Sequence, residues 1–400
     1  MRELVSMWAF EWLKGIGRVF TQPLFYYGIF LALFVGWLRV KKERRHFHVR
    51  VYHSFHESKF LFISGLLPGL VLSFFMVGIG FVFPLDTLTL LSAVTILLGL
   101  TLQLRLLSPA YTVGLTFFCA SFLVKYEGTK SFFAEHFPGF ANTDLSALAI
   151  LLGLLLFGEA WLILRNGSVA TSPQLMKSKR GLFIGVHWAE RLWFVPGLLP
   201  VPGEAISSAI SWWPVFSADE QTYSFLLVPF LIGFSQRIQG MHPSDSVRLT
   251  GQRVRLLALV VSLLAVAGYW YAPLAIIAVA VAFIGREWIA FYQRFQDDSQ
   301  PPFFSQQKHG LVILGIIPHS PAEKMALRVG EVIVKTNGMA VKTEAEFYEA
   351  LQRNRAFCKL EVLDRNGEIR FVQGALYEDQ HHELGLLFVQ DEKKWESAAV

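Results

Sequence analysis

Long apolar runs recur through the first three quarters of the chain and stop near residue 295, where charged and amide residues return at short intervals. A helix needs about 20 residues to cross the ~30 Å hydrocarbon core of a bilayer. Runs of that kind fall at 23–38, 60–83, 86–104, 107–124, 145–164, 181–199, 222–236, 256–272 and 273–291. The pattern therefore predicts an α-helical polytopic membrane bundle over 23–296, with about eight or nine spans. Ahead of it, residues 1–22 set Leu4, Trp8, Trp12, Ile16 and Phe20 among Arg2, Glu3, Glu11, Lys14 and Arg18. Those charges suit an amphipathic helix lying in the membrane interface, or one packed on its neighbours.

Residues 297–308, DDSQPPFFSQQK, are polar with a proline pair and read as a short, semi-stiff linker. Beyond them, over 309–392, the periodicity changes to that of a small α+β domain. Leu311 to Ile317 is a strand. Ser320 caps a short helix with Pro321 in its first turn, Glu331 to Thr336 returns as a strand, and Asn337-Gly338 makes a tight turn. Thr343 to Glu346 is a capping box opening a helix to about Arg353, whose inward stripe is Phe347, Ala350 and Leu351. Phe357–Leu363 and Glu368–Gln373 pair across Asn366-Gly367. After the polar stretch Tyr377–Glu383, Leu384 to Val389 is an apolar strand opened by a glycine.

This order resembles the signature of bacterial PDZ domains, through Ser320-Pro321-Ala322, Leu327, Gly330, Val332-Ile333 and Asn337-Gly338. Ala326 stands where that family usually has Gly, and Glu331 where it usually has Asp. The resemblance implies capture of an extended peptide by strand addition beside a helix. The expected groove runs between Leu384, Gly385, Leu386, Leu387 and Phe388 on one side and Phe347, Ala350 and Leu351 on the other. The competing reading makes Leu384 to Val389 a closing core strand.

Composition agrees with a membrane domain: 53% of residues are hydrophobic and 17% charged, too apolar for a soluble chain. Segments 39–59, 165–180 and 237–255 hold 15 basic residues against 3 acidic ones, whereas 84–87, 125–144 and 200–221 hold 2 against 7. The first set is therefore expected in the cytoplasm, together with the C-terminal domain. Nine spans would put the N-terminus outside, and a re-entrant first hairpin would put it inside. The basic loop bearing Arg39, Lys41, Lys42, Arg44, Arg45 and Arg50 is expected to contact anionic lipid. Nothing in it offers the aromatic or groove-reading context of nucleic-acid binding.

Charges inside the apolar runs are costly and have to be accounted for. Pairing within the bundle, for instance Glu159 with Arg191, and snorkelling of Arg286 are favoured over an ion path through His187, Glu190 and Glu287. Gly65-Leu66-Leu67-Pro68 recurs as Gly197-Leu198-Leu199-Pro200, a weak echo of two similar halves. Cys119 and Cys358 imply neither a disulfide nor a metal site. His56-Glu57 lacks the second histidine of HExxH, and Ser64-Gly65 and Ser235 lack a nucleophile elbow, so no enzyme, metal, cofactor or small-molecule substrate is indicated.

The architecture, with the N-terminal LKGIGRVFTQPLFYY, the basic WLRVKKERRHFHVRVYHSFHE and the terminal HHELGLLFVQDEKKW, resembles the MinJ family of division-site topology proteins in Bacillus-type Firmicutes. That resemblance implies a membrane scaffold at septa and poles, bridging DivIVA-like proteins to MinD-like and MinC-like partners. A PDZ-containing intramembrane protease and a transporter with a regulatory tail are the alternatives.

Overall fold

Four of the apolar helices begin at a proline, whose fixed φ and missing N–H suit a first helical turn. The computed structural model describes residues 2–47, 49, 51, 56–126, 137–178, 180–207, 212–216, 222–307, 309–354, 357–375 and 384–389. Arg50, the stretch Tyr377–Glu383 and everything beyond 389 lie outside this set. The helices are α1 (Arg2–Gly17), α2 (Pro23–Phe47), α3 (His56–Ile79), α4 (Leu85–Leu100), α5 (Pro109–Tyr126), α6 (Leu145–Asn166), α7 (Pro243–Ala267) and α8 (Pro273–Ser299). Five of them, α2, α3, α6, α7 and α8, are long and apolar enough to cross a membrane, while α4 and α5 are shorter apolar helices.

The hub is α6. In its most apolar stretch 72% of residues are buried, against at most 39% in the other four long helices. Its Glu159 is fully buried and ties three elements together. One carboxylate oxygen accepts from Arg286 Nε at 3.1 Å and Nη2 at 3.0 Å on α8, and the other from Ser108 Oγ at 2.6 Å, just before α5. The expected partner Arg191 is elsewhere, stacked over the Phe60 ring at 5.7 Å. Arg286 is buried rather than snorkelling. A carboxylate held this way repays its desolvation only because both charge and hydrogen-bonding capacity are matched.

Two segments expected to cross as helices, 181–199 and 222–236, are strands instead. β1 (Ser172–Lys177), β2 (Phe183–Ser207) and β3 (Thr222–Ile238) form an antiparallel sheet in that order. Short apolar runs do not distinguish helix from strand by periodicity. Here Pro196, Pro200 and Pro202 would each break a helix, whereas their place on a strand edge is harmless.

The register shows why. Main-chain groups of Pro196, Leu198, Phe225 and Leu227 point away from the β2–β3 ladder, because side chains from outside reach them. Ser73 Oγ accepts from Leu198 N at 2.9 Å and donates to Pro196 O. Arg18 Nη1 donates to Phe225 O at 2.9 Å, and Gln22 Nε2 to Leu227 O at 2.6 Å. Pro196, Pro200, Pro202 and Pro229 share that outward parity in the pairing of β2 with β3. Each proline thus removes an amide that would otherwise face apolar surroundings unbonded. Helix α3 can lie on the β2 edge because Gly65 and Gly69 carry no side chain there. A Cβ on Gly65 would stand 1.9 Å from Phe194 O, and one on Gly69 2.6 Å from Pro196 O. The first copy of the Gly-Leu-Leu-Pro echo therefore packs against the residues just before the second.

The C-terminal domain follows its predicted order: β4 (Leu311–Ile316), α9 (Pro321–Lys324), β5 (Val332–Thr336), β6 (Met339–Ala340), α10 (Glu344–Gln352), β7 (Phe357–Leu363), β8 (Ile369–Ala375) and β9 (Leu386–Phe388). Its sheet runs β8-β7-β5-β4-β9, with β6 beside β5. One face, with Ile313, Ile333, Leu360, Leu386 and Phe388, buries α10. The opposite face, with Val312, Leu314 and Leu387, meets Phe47, Val51, Leu175 and Phe304 from the membrane-domain side. The linker expected to be a spacer is part of this contact: Phe304 is fully buried and its carbonyl accepts from Gly185 N at 2.8 Å.

Gly69→Leu should force α3 off the β2 edge and destabilise the membrane domain by on the order of 3 kcal/mol. Gly78→Leu on the same helix, with open space around its Cβ, should be tolerated. Melting of the two variants in a mild detergent compares them directly.

Candidate peptide-docking site

Strand alternation decides which residues of the expected groove come together. Leu386 and Phe388 turn towards α10, where Phe347, Ala350 and Leu351 are buried with them. The Phe347 and Phe388 rings meet edge to face, centroids 5.3 Å apart. Leu387 has the opposite parity and packs against the membrane-domain side, so it is not part of this face. Leu384 and Gly385 form the corner ahead of β9. Their carbonyls accept from Ala322 N at 3.0 Å and Ile317 N at 2.8 Å. Gly385 has φ +82°, and a Cβ there would stand 2.3 Å from Ser320 Cβ, so the corner requires glycine.

β9 pairs with β4 and ends the sheet order, so among the described residues no strand covers its other edge. All the apolar groove residues are buried in this state. The edge is therefore accessible only as far as α10 can yield or a peptide can enter from the end. That end opens into a crevice of about 1220 Å³ between the C-terminal domain, the β1–β2 turn and the linker. Val389 and the α10 start, Thr343 to Ala345, line it beside Lys177, Arg180, Arg237 and Lys342. Arg237 is engaged by Asp298 at 2.5 Å. The net basic lining favours an acidic extended segment.

The basic loop has a different form from the one expected. Arg39, Lys41, Lys42, Arg44 and Arg45 belong to α2, which runs to Phe47. Arg39 is turned inward rather than towards lipid. Its Nε donates to Glu43 Oε1 at 2.9 Å and its Nη2 to Ala170 O at 2.7 Å. Buried Glu43 also accepts from Ser172 Oγ and Val51 N, tying α2 to the start of β1. Lys41, Lys42, Arg44 and Arg45 are exposed.

Sequence reasoning weighed His187 for an ion path and did not single out His242; both lie at the interface between the domains. His187 on β2 donates from Nε2 to Leu314 O at 2.9 Å, and its Nδ1 accepts from Thr171 Oγ1 at 2.8 Å. His242, capping α7, is bonded to Arg365 of the C-terminal domain. Burial pushes His187 down to about 3 and His242 to about 4 from the usual 6.5, and Arg39 and Arg365 add to the effect. Nothing in a single sequence marks them, because both partners are distant in the chain.

Of the two departures from the expected pattern, Glu331 has a structural basis and Ala326 has none. Ala326 adopts φ +56°, a left-handed conformation that strains any side chain. Glu331 reaches Arg370 Nη2 at 2.7 Å and accepts from Arg328 N at 2.9 Å, bridging two elements.

The chain is 43% identical over 393 residues, 98% of each chain, to "Cell division topological determinant MinJ" of Bacillus subtilis (strain 168). It is 27% identical over 380 residues, 92% of this chain and 96% of the other, to "Probable cell division topological determinant MinJ" of Lacticaseibacillus paracasei. No protein-family model matches the chain, and no solved structure does.

Ala326→Gly should stabilise the C-terminal domain by about 1 kcal/mol, the left-handed strain less the added chain entropy. Slower hydrogen exchange of β4 and β5 amides would register it. Both histidines are neutral when docked and have depressed pKa values, so docking is at full strength above pH 6.5 and weakens as pH falls towards 3–4. Proteolysis of the linker near Phe304 should accelerate between pH 7.5 and about 5, and His187→Gln should flatten that profile.

Proposed function

The chain belongs to the MinJ family of cell division topological determinants, and on that premise we propose that it is a membrane-anchored scaffold for division-site selection, without chemistry of its own. The near full-length identity carries this reading. Its apolar helices confine it to the membrane, which raises its effective concentration for membrane-bound partners. The C-terminal domain is read as a PDZ module, supported by its element order, the glycine corner at Gly385 and the open β9 edge beside α10. Weak strand-addition contacts then suffice for recruitment.

Basic residues concentrate in the segments flanking β1 and α7, on the side where the C-terminal domain docks, which supports a cytoplasmic position for that domain. In this reading the partners are DivIVA-like and MinD-like proteins, bridged at the septum and poles. Lys41, Lys42, Arg44 and Arg45 supply lipid contact at the same level. The PDZ-bearing protease and transporter readings have no specific observation in their favour.

Deleting residues 308–400 should abolish partner recruitment while the helices still insert. Normal co-localisation of the truncated chain with both division partners in cells would overturn the proposal. Phe347 and Leu386 are core residues, so polar substitutions there would test folding instead. Lys342→Glu at the crevice is the sharper probe, and it should weaken capture of an acidic segment roughly tenfold while leaving the melting temperature unchanged.

A further inference from the structure

Helices α3, α6 and α7 enclose a cleft of about 730 Å³ that the scaffold reading does not use. Its wall is apolar along nearly its whole length: Pro68, Val71, Leu72 and Phe75 on α3, and Leu154, Phe157 and Trp161 among those on α6. Val71, Phe75 and Trp161 are large side chains left exposed along it. Polar character is confined to one end, where Arg165, in the last turn of α6, and Arg255 of α7 line the mouth. Both are exposed, and among the described residues neither has an ion pair or a hydrogen bond.

Two arginines without counter-charges at the rim of a lipid-facing apolar cleft call for an amphipathic anion. From Leu154 to Arg165 the cleft extends about 16 Å along α6, roughly half the ~30 Å hydrocarbon core and hence one leaflet. The charged end lies level with the point where α6 gives way to β1, the side on which the C-terminal domain docks. Arg255 lies one turn beyond Gly251, whose neighbour across the helix pair is Leu164. Helical side chains lean towards the N-terminus, which brings its guanidinium back towards Arg165. The volume falls within the ~300–1,000 Å³ of small-molecule sites. A phosphate accepts forked arginine donors in a way that a zwitterionic headgroup with its own ammonium offsets.

We propose that this cleft is a binding site for one anionic phospholipid, its acyl chain lying between α3 and α6 and its phosphate held by Arg165 and Arg255. Such a lipid would fill the seam that separates α3 from α7 and mortar the membrane domain on that side.

The test uses the full chain purified in mild detergent, with phosphatidylglycerol or phosphatidylcholine added and bound lipid counted by native mass spectrometry. One phosphatidylglycerol per chain should be retained in preference to phosphatidylcholine. Arg165→Gln with Arg255→Gln should lower that retention on the order of tenfold or more, with an unchanged melting temperature in lipid-free detergent. Gly158→Leu, which projects into the cleft where a Cβ would meet Leu72 Cδ1 at 3.5 Å, should block it independently of charge. Equal retention of the two lipids, retention unaffected by the arginine pair, or binding of detergent alone would overturn the assignment. So would capture of a second protein chain at the cleft in place of lipid.

Discussion

A main-chain amide or carbonyl that points into apolar surroundings has no water to bond, and leaving it unpaired costs several kcal/mol in hydrocarbon. Helices avoid the difficulty internally. The β2–β3 hairpin cannot, since each strand has an edge that its partner does not cover. The rest of the membrane domain is arranged around closing those edges. Prolines delete donors on the outward parity of β2 and β3, Ser73 serves the β2 edge, and Arg18 and Gln22 serve the β3 edge. The glycines of α3 follow from the same constraint, because a helix can offer Ser73 to a strand edge only if it approaches to backbone contact.

The same hairpin couples the two domains. Its base, with β1, receives the outer sheet face of the C-terminal domain, and the linker residue Phe304 is buried between them. Buried polar contacts give this junction a defined geometry: Glu43 and Arg39 fix the end of α2 against β1, while His187 reaches the carbonyl of Leu314. A domain held this way has an orientation relative to the membrane, so its β9 edge and crevice face a constant direction. In the proposed scaffold role, such an orientation would matter as much as affinity, because partners on a membrane approach in two dimensions.

The deep charges have a structural role. Arg286 on α8 and Ser108 just before α5 both satisfy the Glu159 carboxylate on α6. Neutralising a buried pair by mutual contact requires all members to be present, so such a knot specifies which helices are neighbours more than it adds stability. Arg165 and Arg255 differ in being exposed at the mouth of a cleft, where their charge is directed outward.

The sequence by itself determined the C-terminal domain almost element for element, because caps, tight turns and two-residue alternation are local signals. Thr343 caps α10, Asn337-Gly338 turns between β5 and β6, and Gly385 sits at φ +82° ahead of β9. It also determined that the first part of the chain is apolar and helical in most of its length. Tertiary structure alone decided three matters. Pro196, Pro200, Pro202 and Pro229 weigh locally against helix around 181–199 and 222–236, but a strand there depended on neighbours able to cover its edge, which hydrophobicity does not encode. The partner of Glu159 was set by which helices adjoin α6, 127 residues away in the chain for Arg286. The inward turn of Arg39 came from Glu43 and the distant carbonyl of Ala170, and the burial of His187 from the docked domain. In each case the deciding contact joins residues far apart in sequence, and local chemistry carries no record of it.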